Sequence, residues 1–144
     1  MSYIKNVTVI GTGVIGAGWI ARFIENGINV NVFDPGLNAK LSVDRTLKNA
    51  DVAFTNLTAI PRLKKGDVQF QASIEEAVRH ADLVIESVPE RLETKQTVYI
   101  EIEKYCDKST LITSSTSGIM PSNLQENLNY PERFYVGHPF NPVY

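Results

Sequence analysis

With 144 residues, 43% of them hydrophobic and 21% charged, the chain has the length and composition of one globular domain with a real core. A formal net charge of −2, with acids and bases interspersed, offers no electrostatic grip on nucleic acid, so no nucleic-acid partner is expected. The apolar stretches are strand-length, so no membrane partner is expected, and the single cysteine, Cys106, excludes an intrachain disulfide and fits a cytoplasmic setting.

The first residues, Met1-Ser2-Tyr3-Ile4-Lys5-Asn6, lack the pattern of a secretion signal and are expected to lead straight into a strand. Val7-Thr8-Val9-Ile10 is a β-branched run ending at a glycine, which predicts a buried strand. From Val14 to Asn26 the period becomes helical, with Ile15, Trp19, Ile20, Phe23 and Ile24 on one broad apolar stripe and Gly27 as the stop. Asn29 to Phe33 reads as a second strand that ends at the turn Asp34-Pro35-Gly36. A helix is expected from about Asn38 to Ile60, broken near Asn56 and ended by Pro61. A short strand over Val68–Gln71 precedes a helix opened by the capping box Ser73 to Glu76. Then come a strand at Leu83-Val84-Ile85, a helix from Glu90 to Tyr105 and a strand from Thr110 to Thr113. A short helix from Pro121 to Asn127 and a last strand, Phe134-Tyr135-Val136, complete the order. Strands alternating with helices predict an α/β fold of the Rossmann type, a doubly wound and mostly parallel sheet with helices on both faces. Residues 1–144 are taken as one such domain, with no repeat or linker inside it.

Gly11-x-Gly13-x-x-Gly16 lies between the first strand and the first helix. The first glycine allows the tight turn, the second lets backbone approach a pyrophosphate, and the third lets the helix pack close to the sheet. The helix start at Val14, Ile15 and Gly16 then presents free N–H groups and a positive dipole end to an anion. Alone, such a glycine pattern is weak. Here Asp34 ends the second strand 23 positions beyond Gly11 (34 − 11), the spacing of a ribose-binding carboxylate. Asp34 as a plain turn residue is the competing explanation. Its charge would repel a 2′-phosphate and no arginine follows directly, so the expected cofactor is NAD rather than NADP. No Gly-Lys-Ser/Thr ending is present, which argues against an NTPase loop.

Two later segments sit where such sheets place chemistry, at strand carboxyl ends. Thr113-Ser114-Ser115-Thr116-Ser117-Gly118 is a hydroxyl-rich loop, and Gly137-His138-Pro139-Phe140-Asn141-Pro142 holds a histidine between stiffening prolines. With the glycine loop and Glu86-Ser87-Val88-Pro89-Glu90-Arg91, these blocks resemble the 3-hydroxyacyl-CoA dehydrogenase family over essentially the whole chain, nearest to its carnitine-oxidising branch, with the L-gulonate-oxidising and lambda-crystallin branch similar too.

The resemblance implies oxidation of a secondary alcohol to a ketone by hydride transfer to NAD. It makes His138 the catalytic base, a role that suits an imidazole near neutral pH, and Ser117 the hydroxyl that bonds the reacting oxygen. Glu90, Lys95 and Asn141 match family contacts to the cofactor. Ser115 also falls near the cofactor, at a position where the family usually carries asparagine. No metal ligand is implied. The family's orienting glutamate would lie beyond Tyr144, together with a helical domain that completes the substrate pocket and the homodimer interface. The expectation is therefore a fragment that binds NAD weakly and turns over negligibly. The stretch between Asp34 and Asp67 looks short for holding CoA, and Lys64-Lys65 reads as solvated surface, which favours a small-molecule hydroxy acid over an acyl-CoA. A non-catalytic NAD-binding module is the competing class, disfavoured by the joint presence of Ser117 and His138.

Overall fold

A computed structural model describes residues 4–57 and 64–144. Its element order is β1 (Asn6–Ile10), α1 (Val14–Glu25), β2 (Asn29–Phe33), α2 (Ala39–Leu57), β3 (Val68–Phe70), α3 (Ile74–Val78), β4 (Leu83–Glu86), α4 (Leu92–Tyr105), β5 (Leu111–Ser114), α5 (Pro121–Leu124) and β6 (Phe134–Val136), the last preceded by a 3-10 turn at Pro131–Arg133. The strands form one sheet in the order β3-β2-β1-β4-β5-β6, every pair parallel. The order in which strands are added reverses between β1 and β4, which opens a crevice at their carboxyl ends.

Each face of the sheet carries its own core. On one, Val7, Val9, Val30, Val32 and Ile85 meet Ala17, Ile20 and Ile24 of α1 and Val43 of α2. On the other, Ile10, Val84 and Ile112 meet Ala77 and Val78 of α3 and Tyr99 and Ile102 of α4. Central strands buried on both sides explain why β1 and β4 are buried at consecutive positions rather than alternate ones.

Local signals hold where they have a mechanism. Ser73 caps α3 by accepting from Glu76 N at 3.1 Å, and Glu76 reaches back to Ala72 N at 3.0 Å, one residue before the expected partner. Gly27 follows α1 with φ +77° and its N–H bonds Ile24 O. Three boundaries differ from expectation. α2 runs unbroken through Asn56, while Ile60 and Pro61 lie outside the described residues, as do Met1, Ser2 and Tyr3. α4 starts at Leu92, because Glu90 and Arg91 are extended loop, and α5 stops at Leu124 instead of Asn127. Nor is Lys65 plain solvated surface: it pairs with Glu25 at 2.7 Å and Asp51 at 2.6 Å, pinning α1 to α2. After β6 the chain folds back onto α1, where Val143 sits so close to Gly18 that a Cβ there would lie 2.9 Å from it. No described helix is long and apolar enough to cross a membrane.

Candidate active site

The glycine loop is shaped by contacts that leave no room for side chains. Gly11 has φ +93°, a left-handed conformation, and a Cβ on it would meet Ser87 O at 2.6 Å. A Cβ on Gly16 would lie 1.9 Å from Gly11 O, so α1 can approach the turn only without one. Gly13 differs. It has φ −61°, and nothing lies within 4 Å of where its Cβ would be. That empty space faces the start of α1, which no side chain caps and whose first turn carries no acid. Free amides and a positive dipole end are left for an anion.

Beside this loop a cleft of about 570 Å³ opens, walled by Ile10, Phe33, Ile74, Val88 and Val98, with Gly11, Gly13 and Asp34 at its polar end. An apolar slot with a few convergent polar groups is the form expected of a cofactor site. Asp34 is already engaged: Oδ2 accepts from Thr12 N at 2.6 Å and Thr12 Oγ1 at 2.7 Å, and Oδ1 accepts from Gly36 N at 2.7 Å. The turn role and the cleft position therefore coexist. An ionised carboxylate has about four acceptor positions, so one remains for a ribose hydroxyl. The residues present thus fit an NAD dinucleotide.

At the same edge of the sheet, Ser117 follows β5 and His138 follows β6. Ser117 Oγ lies 2.9 Å from His138 Nε2, a hydroxyl–imidazole hydrogen bond. Residues far apart in sequence meet because β5 and β6 are neighbours in register, Ser114 beside Val136. Phe140 packs edge-on to the imidazole, ring centroids 5.9 Å apart.

Glu90 holds the Ser117 loop. Its Oε1 accepts from the Thr116 hydroxyl, Ser117 N at 2.9 Å and Gly118 N at 3.2 Å, and its Oε2 lies 3.2 Å from Lys95 Nζ. Partial burial alone would raise its pKa, but these donors outweigh that and hold the carboxyl down at about 2. Lys95, which the resemblance makes a cofactor contact, is 1% exposed. Its ammonium contacts Glu86 Oε1 at 2.7 Å and Val88 O at 3.3 Å as well as Glu90.

Glu86 is the residue that sequence reasoning missed. It is fully buried at the end of β4, and its carboxylate also accepts from Val88 N, Ser114 Oγ and the Tyr99 hydroxyl. An acid closing an otherwise apolar strand was a signal for it; its partners on α4 and β5 had none. Burial, followed by the Glu86 charge, pushes the Tyr99 phenol far above its ordinary pKa. Ser115 Oγ lies 3.0 Å from Ser87 Oγ and accepts from Trp19 Nε1 at 3.2 Å, tying the loops after β4 and β5 to α1. Asn141 lies outside the apolar cleft and shares a second pocket with Val14 and α2.

Residues 6–144 match the sequence profile of the family described as 3-hydroxyacyl-CoA dehydrogenase, NAD binding domain. The chain is 51% identical over 140 residues to L-carnitine dehydrogenase of Oceanobacillus iheyensis, covering 97% of this chain and 46% of that protein. It is 47% identical over 144 residues to the L-carnitine dehydrogenase/betainyl-CoA thioesterase of a Rhizobium species, covering 100% of this chain and 29% of that protein. Among solved structures, it superposes on 5-formyl-3-hydroxy-2-methylpyridine 4-carboxylic acid 5-dehydrogenase, an NAD+-dependent dismutase, with TM-score 0.88 and 37% identity over 98% of this chain and 46% of that one. Escherichia coli 3-hydroxybutyryl-CoA dehydrogenase matches with TM-score 0.83 and 29% identity over 99% of this chain and 31% of that one. The chain thus spans less than half the length of these relatives.

Proposed function

The chain belongs to the 3-hydroxyacyl-CoA dehydrogenase family as its NAD-binding domain, and on that premise we propose that it is the cofactor half of an enzyme that oxidises the 3-hydroxyl of L-carnitine to a ketone. The observation that carries the chemistry is the 2.9 Å contact between Ser117 Oγ and His138 Nε2. The identity to L-carnitine dehydrogenases supports the choice of substrate.

Bound NAD supplies the hydride acceptor. The amides opening α1 and the space over Gly13 would hold its diphosphate, and Asp34 would accept from its adenosine ribose. His138 Nε2 takes the hydroxyl proton, which requires the tautomer with its proton on Nδ1. In that tautomer Ser117 Oγ donates to Nε2 in the free chain; it then turns to the substrate oxygen and fixes it between the two groups. Glu90 holds the amides of Ser117 and Gly118 and so sets where that hydroxyl points. Lys95 acts on the site through Glu90. Ser115 lies near the cofactor through its contact with Ser87, which lines the cleft.

We take turnover to need more chain than these 144 residues, because the curated relatives are more than twice as long; a homodimer in the cytoplasm belongs to the same proposal. The test is oxidation of L-carnitine, followed by NADH formation, in the 144-residue chain and in a form extended to the relatives' length. The extended form is expected to turn over, the short chain negligibly, and His138→Gln in the extended form to lower kcat by roughly 10²–10⁴-fold. Good reduction of acetoacetyl-CoA without carnitine oxidation would transfer the reading to the acyl-CoA substrate. NAD binding without any turnover in the extended form would make the chain a non-catalytic module.

A further inference from the structure

Glu86 closes an otherwise apolar strand with no exposure, and it takes no part in the steps above. Four donors meet its carboxylate: Val88 N and Lys95 Nζ, each 2.7 Å from Oε1, and Ser114 Oγ, 2.7 Å from Oε2, together with the Tyr99 hydroxyl. They fill the roughly four acceptor positions that an ionised carboxylate offers. Stability alone does not call for this arrangement, because well-packed apolar side chains in place of a buried ion pair often hold a core as well or better.

Two of these donors lead to the reactive serine by separate routes. Ser114 gives its proton to Glu86, which leaves its oxygen to accept from Thr116 N at 3.2 Å. Its main-chain oxygen also accepts from Gly137 N at 2.9 Å, one residue before His138. Lys95 spans the two acids: its ammonium meets Glu86 at 2.7 Å and Glu90 at 3.2 Å, and Glu90 in turn holds the amides of Ser117 and Gly118. A third donor, Val88 N, belongs to the turn after β4, where Ser87, Val88 and Pro89 wall the cofactor cleft. One buried carboxylate thus joins that wall to both ends of residues 116–118.

We propose that Glu86 is a positioning residue for hydride transfer, which fixes the Ser117 hydroxyl relative to the cofactor cleft through Ser114 and through Lys95 and Glu90. This rests on the dehydrogenase reading above and adds to it a residue that, being fully buried, acts only through its partners. Misplacement of a reacting group by about 1 Å can cost roughly 100-fold in rate, so a support of this kind shows in kcat before it shows in binding.

Glu86→Gln tests this at nearly constant shape, since it replaces one of the two acceptor oxygens with an NH2 group. In the form extended to the relatives' length, well below its melting temperature, kcat for the hydroxy acid is expected to fall roughly 10- to 100-fold. KM for NAD and for the hydroxy acid should stay within about twofold. In the 144-residue chain, the NMR signals of the Thr116, Ser117 and Gly118 amides should shift while those of β2 stay in place. A merely structural Glu86 would lower the melting temperature and leave kcat below it unchanged; that result, unshifted Ser117 and Gly118 amides, or a loss confined to NAD affinity would overturn the proposal. Ser114→Ala removes a single hydroxyl and decides the matter should Glu86→Gln not fold: it cuts the first route, so kcat should fall roughly tenfold, and an unchanged kcat would overturn the proposal. Where both fold, the double variant should lose less than the product of the single losses, because both cut one route; fully multiplying losses would count against it equally. If the extended wild type oxidises no hydroxy acid, the dehydrogenase reading falls, and the amide shifts in either variant decide whether Glu86 places Ser117.

Discussion

Glu90 couples the charge state of one carboxyl to the placement of the reactive serine. Its pKa falls from an ordinary 4.5 to about 2 because the folded chain offers donors from Thr116, Ser117, Gly118 and Lys95 that outweigh partial burial. A group depressed in the folded state contributes stability that is complete above its unfolded pKa and is lost as pH falls through the folded value. Between about pH 4.5 and 2 the wild-type urea midpoint should therefore fall more steeply than that of Glu90→Gln; parallel slopes would disprove the coupling. The glycines separate structure from ligand in the same manner. Gly16→Ala forces a methyl to within 1.9 Å of Gly11 O and should destabilise the fold by about 1–3 kcal/mol or more. Gly13→Ala enters open space at an ordinary φ, so Tm should stay within a few degrees while NAD affinity drops roughly tenfold or more. Thermal melts and cofactor titrations of both variants check this, and a Gly13→Ala protein that binds NAD normally would remove the diphosphate from that position.

At the scale of elements, β4, α4 and β5 are joined by ionised groups inside the second core. Glu86 from β4, Lys95 and Tyr99 from α4 and Ser114 from β5 satisfy one another with almost no exposure. Lys95→Met would leave the Glu86 carboxylate buried without its cation, a loss expected to cost about 3–5 kcal/mol, readable as a lowered denaturation midpoint. A change below about 1 kcal/mol would mean that Tyr99, Ser114 and Val88 N suffice. This network also marks the limit of what local sequence carries. The period of α1, the β-branched run of β1 and the Ser73 capping box all express contacts within one element, and each was legible. The glycine loop and Asp34 were legible too, since their spacing is fixed by one strand-helix-strand unit. Glu86 takes its partners from elements 9 to 28 residues away, and no periodic pattern encodes which buried lysine meets which buried acid. Position on a helix likewise says nothing of Lys95's inward rotation toward β4, where its ammonium meets Glu86. The early starting point assigned to α4 failed for a related reason: Glu90's carboxylate is held by the loop after β5, which keeps Glu90 out of the helix.

Across the whole molecule, every group with a chemical assignment stands at one edge. The loops after β1, β2, β4, β5 and β6 all emerge at the strands' carboxyl ends, and the opposite edge carries structural bonds such as Asp82 accepting from Lys5 N and Asn6 N. Those two amides, the one from Asn6 foremost, lower the Asp82 pKa and fasten the start of β1 to β4. A ligand at the carboxyl edge binds the folded chain and not the unfolded one, so it must raise global stability by RT ln(1 + [L]/Kd), about 2.7 kcal/mol at one hundred times Kd. Urea denaturation at rising NADH should follow that logarithm, and Gly13→Ala should shift the curve toward higher concentration without changing the ligand-free midpoint. Hydrogen exchange adds position to the same experiment. Amides of the central strands β1 and β4 exchange by global opening, so NADH should slow them by the full stabilisation. The amides of Thr12 and Gly13 and of the Ser87–Val88 turn, residues that line the cleft, should gain additional protection, and those near Lys5 and Asp82 should gain none beyond the global effect. Uniform protection at both edges, or none at the glycine loop, would mean that the cofactor does not rest on the start of α1.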